Sequence, residues 1–154
     1  MRRLLLATLL ALALPLSAHA GTLAPLAADQ VPALLKPPAR GVRILAVWAL
    51  DCAYCEANMQ ALAKLQRAHP REIELVTVAT DSIARRAEIA ARLGAMHMDG
   101  YPARAYAEAA PERLDYLLDP NWGGETPRTL LIRADGSRRG ISGELSAAQL
   151  QKLP

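Results

Sequence analysis

Two cysteines three residues apart, in the run Cys52-Ala53-Tyr54-Cys55, separate a stretch patterned as a buried strand from one patterned as a helix, and this junction constrains the fold more than any other feature. Val42 to Trp48 is apolar almost without interruption after Arg43, as expected of a strand covered on both faces. From Ala53 to His69, Met59, Leu62 and Leu65 recur at three- and four-residue spacing with Lys64 and Arg67 outward, and Pro70 ends the helix. A thiol at the N-terminus of such a helix meets unpaired backbone N–H groups and the positive end of the helix dipole, which favour thiolate over thiol. Cys52 is therefore the expected nucleophile. Cys55, on the same helical face, is near enough to close a disulfide with it and to resolve a mixed disulfide formed on Cys52.

Other readings of the pair stay open. A purely structural disulfide would close a very short loop and constrain the unfolded chain little. Zinc would need two more ligands, and beyond the first twenty residues the chain offers no second cysteine pair, only His69 and His97 at unhelpful separations. Met96-His97-Met98 is a cluster of soft and borderline ligands that, with Cys52 and Cys55, would suit a copper-binding chaperone; the plainer reading makes the methionines packing gap-fillers and His97 a solvated side chain.

Residues 1–20 have the pattern of a secretory signal: Arg2 and Arg3, an apolar run from Leu4 to Leu14 broken only by Thr8, then Ala18-His19-Ala20 as a small-x-small cleavage site. The run falls short of the ~20 residues of a membrane-spanning helix, and Pro15 stops its continuation. Cleavage near Ala20 would leave one domain, residues 21–154, in a periplasmic or otherwise exported, oxidising compartment; anchoring by an uncleaved signal is the alternative. Losing two arginines and no acid lowers the net charge from +3 to +1, which leaves no footprint for nucleic acid or an anionic membrane. The absence of phenylalanine argues likewise against base stacking.

Downstream, Ile73 to Ala79 patterns as a second buried strand, Asp81 or Ser82 caps a helix to Leu93, and Gly94 is its expected stop. The strand-helix-strand order implies parallel strands joined by a right-handed crossover. Tyr101 to Leu118 is Ala-rich and mostly helical in pattern, with Pro111 opening its second part and Asp119-Pro120 ending it. A loop from Asn121 to Pro127 leads to a strand at Thr129 to Arg133, a turn at Asp135-Gly136, an antiparallel partner at Arg138 to Ser142, and a helix capped by Ser146 that runs through Leu153. Arg85 and Arg86 read as a solvated helix face and Tyr101 as local packing. The sum is an α/β domain in the order βαβ, helix, ββα.

Three segments together carry a resemblance. Trp48 stands four residues ahead of Cys52; Trp122-Gly123-Gly124-Glu125-Thr126-Pro127-Arg128 looks like a cis-proline loop; Asp135-Gly136 and Ser142-Gly143 match a closing hairpin. Over roughly residues 31–154 the chain resembles the thioredoxin superfamily and, within it, the exported TlpA-like or ResA-like reductases. The resemblance implies a thioredoxin-like fold, a central mixed sheet flanked by helices with the CxxC at a helix N-terminus. It implies a cis bond at Thr126-Pro127 packed against the cysteines, with the backbone of Thr126 binding an extended partner chain and Pro127 and Trp122 in the same loop. It further implies a protein disulfide reductase without a bound cofactor or metal, taking electrons from a membrane thiol reductase and passing them to disulfide-containing exported proteins such as apocytochrome c or copper-site proteins. A disulfide oxidase or isomerase of the same fold is the alternative within the superfamily.

The sequence departs from the family pattern in three places. Asp51 stands where a second tryptophan is usual, and a carboxylate there opposes the helix dipole by raising the thiol pKa. Ala46 stands where thioredoxin keeps a buried carboxylate, which leaves proton transfer to water or to an acid such as Glu56. Ala53-Tyr54 and the threonine before the proline are closer to the periplasmic disulfide isomerases than to a Gly-Pro thioredoxin.

Overall fold

The computed structural model describes residues 21–153; the expected signal, residues 1–20, lies outside them. The chain runs β1 (Leu23–Leu26), α1 (Val31–Leu34), β2 (Val42–Trp48), α2 (Cys55–Ala68), β3 (Ile73–Ser82), α3 (Arg86–Ala95), β4 (Ala103–Tyr106), α4 (Pro111–Leu118), β5 (Arg128–Arg133), β6 (Arg138–Ser142) and α5 (Ala147–Leu150). One mixed sheet takes all six strands in the order β1-β4-β3-β2-β5-β6. The pairs from β1 to β2 are parallel, and β5 and β6 follow antiparallel.

Crossover handedness decides which helix covers which face. The steps β2 to β3 and β3 to β4 move in one direction across the sheet, so α2 and α3 lie on the same face. The step from β1 to β2 runs back the other way and puts α1 on the opposite face, where α4 joins it. Ile44, Ala46 and Trp48 of β2 accordingly pack with Met59, Leu62, Ile89 and Leu93. Leu45 and Val47 pack with Val31, Leu35, Leu114 and Leu118. Alternate residues of β2 enter two different cores, which is why its sequence is apolar without a period of two.

Several boundaries differ from expectation. Ala103–Tyr106 is strand rather than the first part of a helical segment. Ala103 and Ala105 are buried under α2 and α3 while Tyr106 enters the other core, so the side chains alternate as in any strand. A slot between β1 and β3 that satisfies the backbone on both sides outweighs alanine's helical preference. Pro111 does open a helix. β3 continues to Ser82, whose hydroxyl accepts from the Ala84 N–H ahead of α3. Gly94 does not stop α3; His97 does, at φ 56°, with Met98 N–H bonded to Leu93 O at 2.8 Å and His97 N–H to Gly94 O at 3.0 Å. The sheet's outer strands are β1, four residues including Pro25, and β6, where Arg138 and Arg139 are exposed.

Candidate active site

β2 ends at Trp48 and the chain turns before α2 begins at Cys55, so Cys52 lies in the turn rather than on the helix. Cys52 N–H donates to Ala49 O at 3.2 Å. Leu50 N–H donates to Asp81 Oδ2 at 2.8 Å, and the other oxygen of Asp81 accepts from Arg85 Nη1 at 2.7 Å, so β3 and the turn before α3 hold the approach to Cys52. A disulfide joins Cys52 to Cys55, with S–S 2.04 Å and Cα–Cα 5.5 Å. Cys52 is half-buried, whereas Cys55 is 1 % exposed in the core beside Trp48 and Met59. That asymmetry suits one sulfur that another molecule can reach and one that it cannot. No side chain caps α2, so the free N–H groups of its first turn face the segment that holds Cys52. Tyr54, between the cysteines, is 64 % exposed.

The second half of the site comes from the segment ahead of β5. Val47 pairs with Arg128, which sets Pro127 level with Trp48 at the carboxyl end of β2, the end from which the CxxC departs. The Thr126–Pro127 bond is cis, Thr126 is half-buried and Pro127 is buried. Gly124, at φ 90°, gives the loop a turn that a side chain would strain. Trp122 is buried, and its Nε1 donates to Glu125 O at 2.7 Å, so the indole braces the loop from behind. Arg128 anchors the same loop from the sheet: Nη2 donates to Asp119 Oδ2 and Nη1 to Ser142 Oγ, each at 2.5 Å. The Ser142 hydroxyl in turn donates to the Glu125 carboxylate, which this bond, aided by Arg128, holds below the usual carboxylate range.

Arg85 and Glu56, charged residues around the CxxC, each have a partner. Arg85 is held above its ordinary value by its hydrogen bond to Glu88, and the charges of Glu88, Asp81 and Asp51 add to the effect. Glu56 pairs with Arg92 of α3 at 3.2 Å and accepts from Gln60. Ala46 lies between Thr77 and Thr129 in the sheet, both buried, so hydroxyls rather than a carboxylate flank that position. Met96 and Met98 are 1 % and 0 % exposed and fill space in the core that also holds Cys55, while His97 is exposed.

One residue of the site carries no expectation from the sequence. Asn58, 3 % exposed in the first turn of α2, donates through Nδ2 to Gly143 O at 3.0 Å and accepts at Oδ1 from Leu145 N–H at 2.8 Å. Gly143 N–H donates to Pro127 O at 2.9 Å. The signal was present: the buried stripe of α2 is Cys55, Asn58, Met59, Leu62 and Ala63, and asparagine is its one polar side chain among apolar ones and a cysteine. A cavity of about 1140 Å³ lined by Leu34, Arg43, Ile73, Glu74 and Tyr101 lies at the amino ends of β2 and β3, away from the cysteines.

No protein-family model matches the sequence, and no curated protein matches it. Solved structures do. A thioredoxin-related protein from Neisseria meningitidis serogroup B aligns at TM-score 0.57 and 25 % identity, covering 74 % of this chain and 82 % of that one. A secreted Mycobacterium tuberculosis disulfide oxidoreductase homologous to E. coli DsbE aligns at TM-score 0.55 and 17 % identity, covering 73 % and 82 %. StoA from Bacillus subtilis aligns at TM-score 0.55 and 19 % identity, covering 76 % and 84 %. The chain has the thioredoxin-like fold found among thiol-disulfide oxidoreductases, and it carries a CxxC at the start of α2.

Proposed function

We propose that this protein is an exported, periplasmic thiol-disulfide oxidoreductase that reduces disulfides in other exported proteins through a Cys52/Cys55 dithiol-disulfide cycle. The observation that carries the reading is a half-buried Cys52 bonded to a buried Cys55 at the uncapped start of α2. In the reduced protein, the Cys52 thiolate attacks one sulfur of the partner's disulfide, and the expelled partner thiolate takes up a proton. Cys55, once deprotonated, attacks Cys52 Sγ and releases the second partner thiolate. Two electrons have then passed to the partner, and Cys52–Cys55 is a disulfide again. A membrane thiol reductase would return the two electrons by the same exchange in reverse order. The partner would lie as an extended segment along the backbone of Thr126, with Pro127 seating it and Trp122 holding that edge from behind. Apocytochrome c and copper-site proteins are the candidate clients.

Export rests on the pattern of residues 1–20 and agrees with the secreted relative of the same fold. No helix among the described residues is long and apolar enough to cross a membrane. The test is an equilibrium titration of the Cys52/Cys55 pair against dithiothreitol or glutathione buffers. A potential near roughly −270 mV supports the reductant, one near roughly −120 mV makes the protein an oxidant, and failure to cycle removes the oxidoreductase reading. In the same background Cys55→Ser is expected to accumulate mixed disulfides through Cys52, and Cys52→Ser none; the opposite pattern would reverse the assigned roles.

A further inference from the structure

We infer that Asn58 is a positioning residue that couples the CxxC helix to the Thr126-Pro127 edge, so that the cysteines and the partner-binding backbone hold one fixed geometry. The inference rests on the oxidoreductase reading for its functional meaning, but its structural content stands on hydrogen bonds alone. Asn58 lies one turn beyond Cys55 on the same buried stripe of α2. Its carboxamide uses both ends: the N–H₂ reaches Gly143 O at 3.0 Å and the oxygen takes Leu145 N–H at 2.8 Å. The contact joins positions 85 and 87 residues apart in sequence, so it ties separate parts of the fold rather than neighbours. Gly143 then passes the tie onward through its own N–H to Pro127 O at 2.9 Å. The path from Cys55 to Pro127 is therefore one helical turn, one side-chain amide and one backbone hydrogen bond.

The chemistry selects this residue type. Gly143 O and Leu145 N–H present an acceptor and a donor side by side, and a carboxamide complements both at once. A carboxylate serves Leu145 but repels the Gly143 carbonyl; leucine fills the volume and serves neither. Leaving the buried Leu145 N–H without a partner is costly, and nothing in an apolar stripe would take the place of the amide. An ordinary solvated helix position would carry asparagine at the surface, where it prefers caps and turns over helix interiors.

Amide hydrogen exchange on the oxidised protein tests the tie. In Asn58→Ala, Leu145 N–H loses its direct partner, and if the coupling holds, Gly143 N–H accelerates as well, by about tenfold relative to core amides such as Leu45 that report global stability. Gly143 exchange that tracks Leu45 would reduce Asn58 to a local fit and overturn the inference. Asn58→Asp keeps the acceptor for Leu145 and loses the donor to Gly143, so it is the second variant should the alanine form not fold, with the same outcome expected at Gly143. The functional arm compares a peptide disulfide, which needs the Thr126 edge, with oxidised glutathione. Both variants are expected to lose about tenfold in the ratio of the two rates, and an unchanged ratio counts against the coupling. Should the wild-type protein exchange with neither disulfide, the oxidoreductase reading falls, and the amide-exchange result still decides the coupling.

Discussion

Asp119→Ala should destabilise the protein by about 3 kcal/mol, and the figure follows from how the loop ahead of β5 is held. Asp119 and Arg128 meet at 2.5 Å with side chains 11 % and 10 % exposed, and the second Asp119 oxygen accepts from Asn121 N–H at 3.1 Å. Removing one member of a buried pair leaves the other charge uncompensated, at a typical cost of about 3–5 kcal/mol. The low end applies here, because Arg128 keeps Ser142 at 2.5 Å and has Glu125 at 3.9 Å. For about 130 folded residues, an unfolding entropy near 2.1 cal/mol/K per residue gives about 280 cal/mol/K, so 3 kcal/mol lowers the melting temperature by about 11 °C. Thermal unfolding followed by circular dichroism at pH 7 reads the shift. A double variant, Asp119→Leu with Arg128→Met, should recover most of it, since apolar groups of similar volume can replace a buried pair at little cost. A loss below about 1 kcal/mol in the single variant would place the pair with ordinary surface ion pairs and refute the account of what frames the Thr126-Pro127 loop.

Two further outcomes are expected. His97 holds φ 56°, so His97→Gly should raise stability by up to about 1 kcal/mol in urea denaturation; a fall would mean that the imidazole makes a contact worth more than the backbone strain. Asp115 accepts from Tyr106 Oη at 2.6 Å, yet burial raises its pKa against that hydrogen bond. Its folded value lies above the unfolded value of about 3.9, so its contribution is complete below that pH and is lost as pH rises through the folded value. Asp115→Asn keeps an acceptor for Tyr106 without the charge, and the stability of wild type minus variant should fall as pH rises from the unfolded value through the higher folded one; a flat difference would show that the carboxyl titrates alike in both states.

The parts of the fold legible in the sequence are those where burial and period agree. β2 and the middle of β3 are covered on both faces, α2 shows a clean stripe, and β5 and β6 flank an Asp-Gly turn. β4 was not legible because two of its four residues are alanines, whose local preference is helical and whose strand role comes only from β1 and β3 on either side. β1 and α1 are four residues each with a proline in both, too short to show a period. The end of α3 was misplaced by a single residue type: glycine is the usual left-handed cap, but histidine fills the position. In the site, the cysteine pair and the Thr126-Pro127 loop stand out locally, whereas the Asn58, Asp119 and Arg128 contacts join residues brought near only by the sheet. The stripe position of Asn58 was readable; its partners were not.

The two outer strands bear on how this protein keeps company with others of its kind. An open sheet edge is a template for further strands, including those of other copies of the same chain. β1 is short and contains Pro25, which has no N–H to give, and β6 carries exposed Arg138 and Arg139, whose like charges would meet if two such edges approached. Both margins of the sheet are thus poor places for another strand to settle, and on the proposed function a transient guest would be left with the loop beside the cysteines, to be released once the exchange is done.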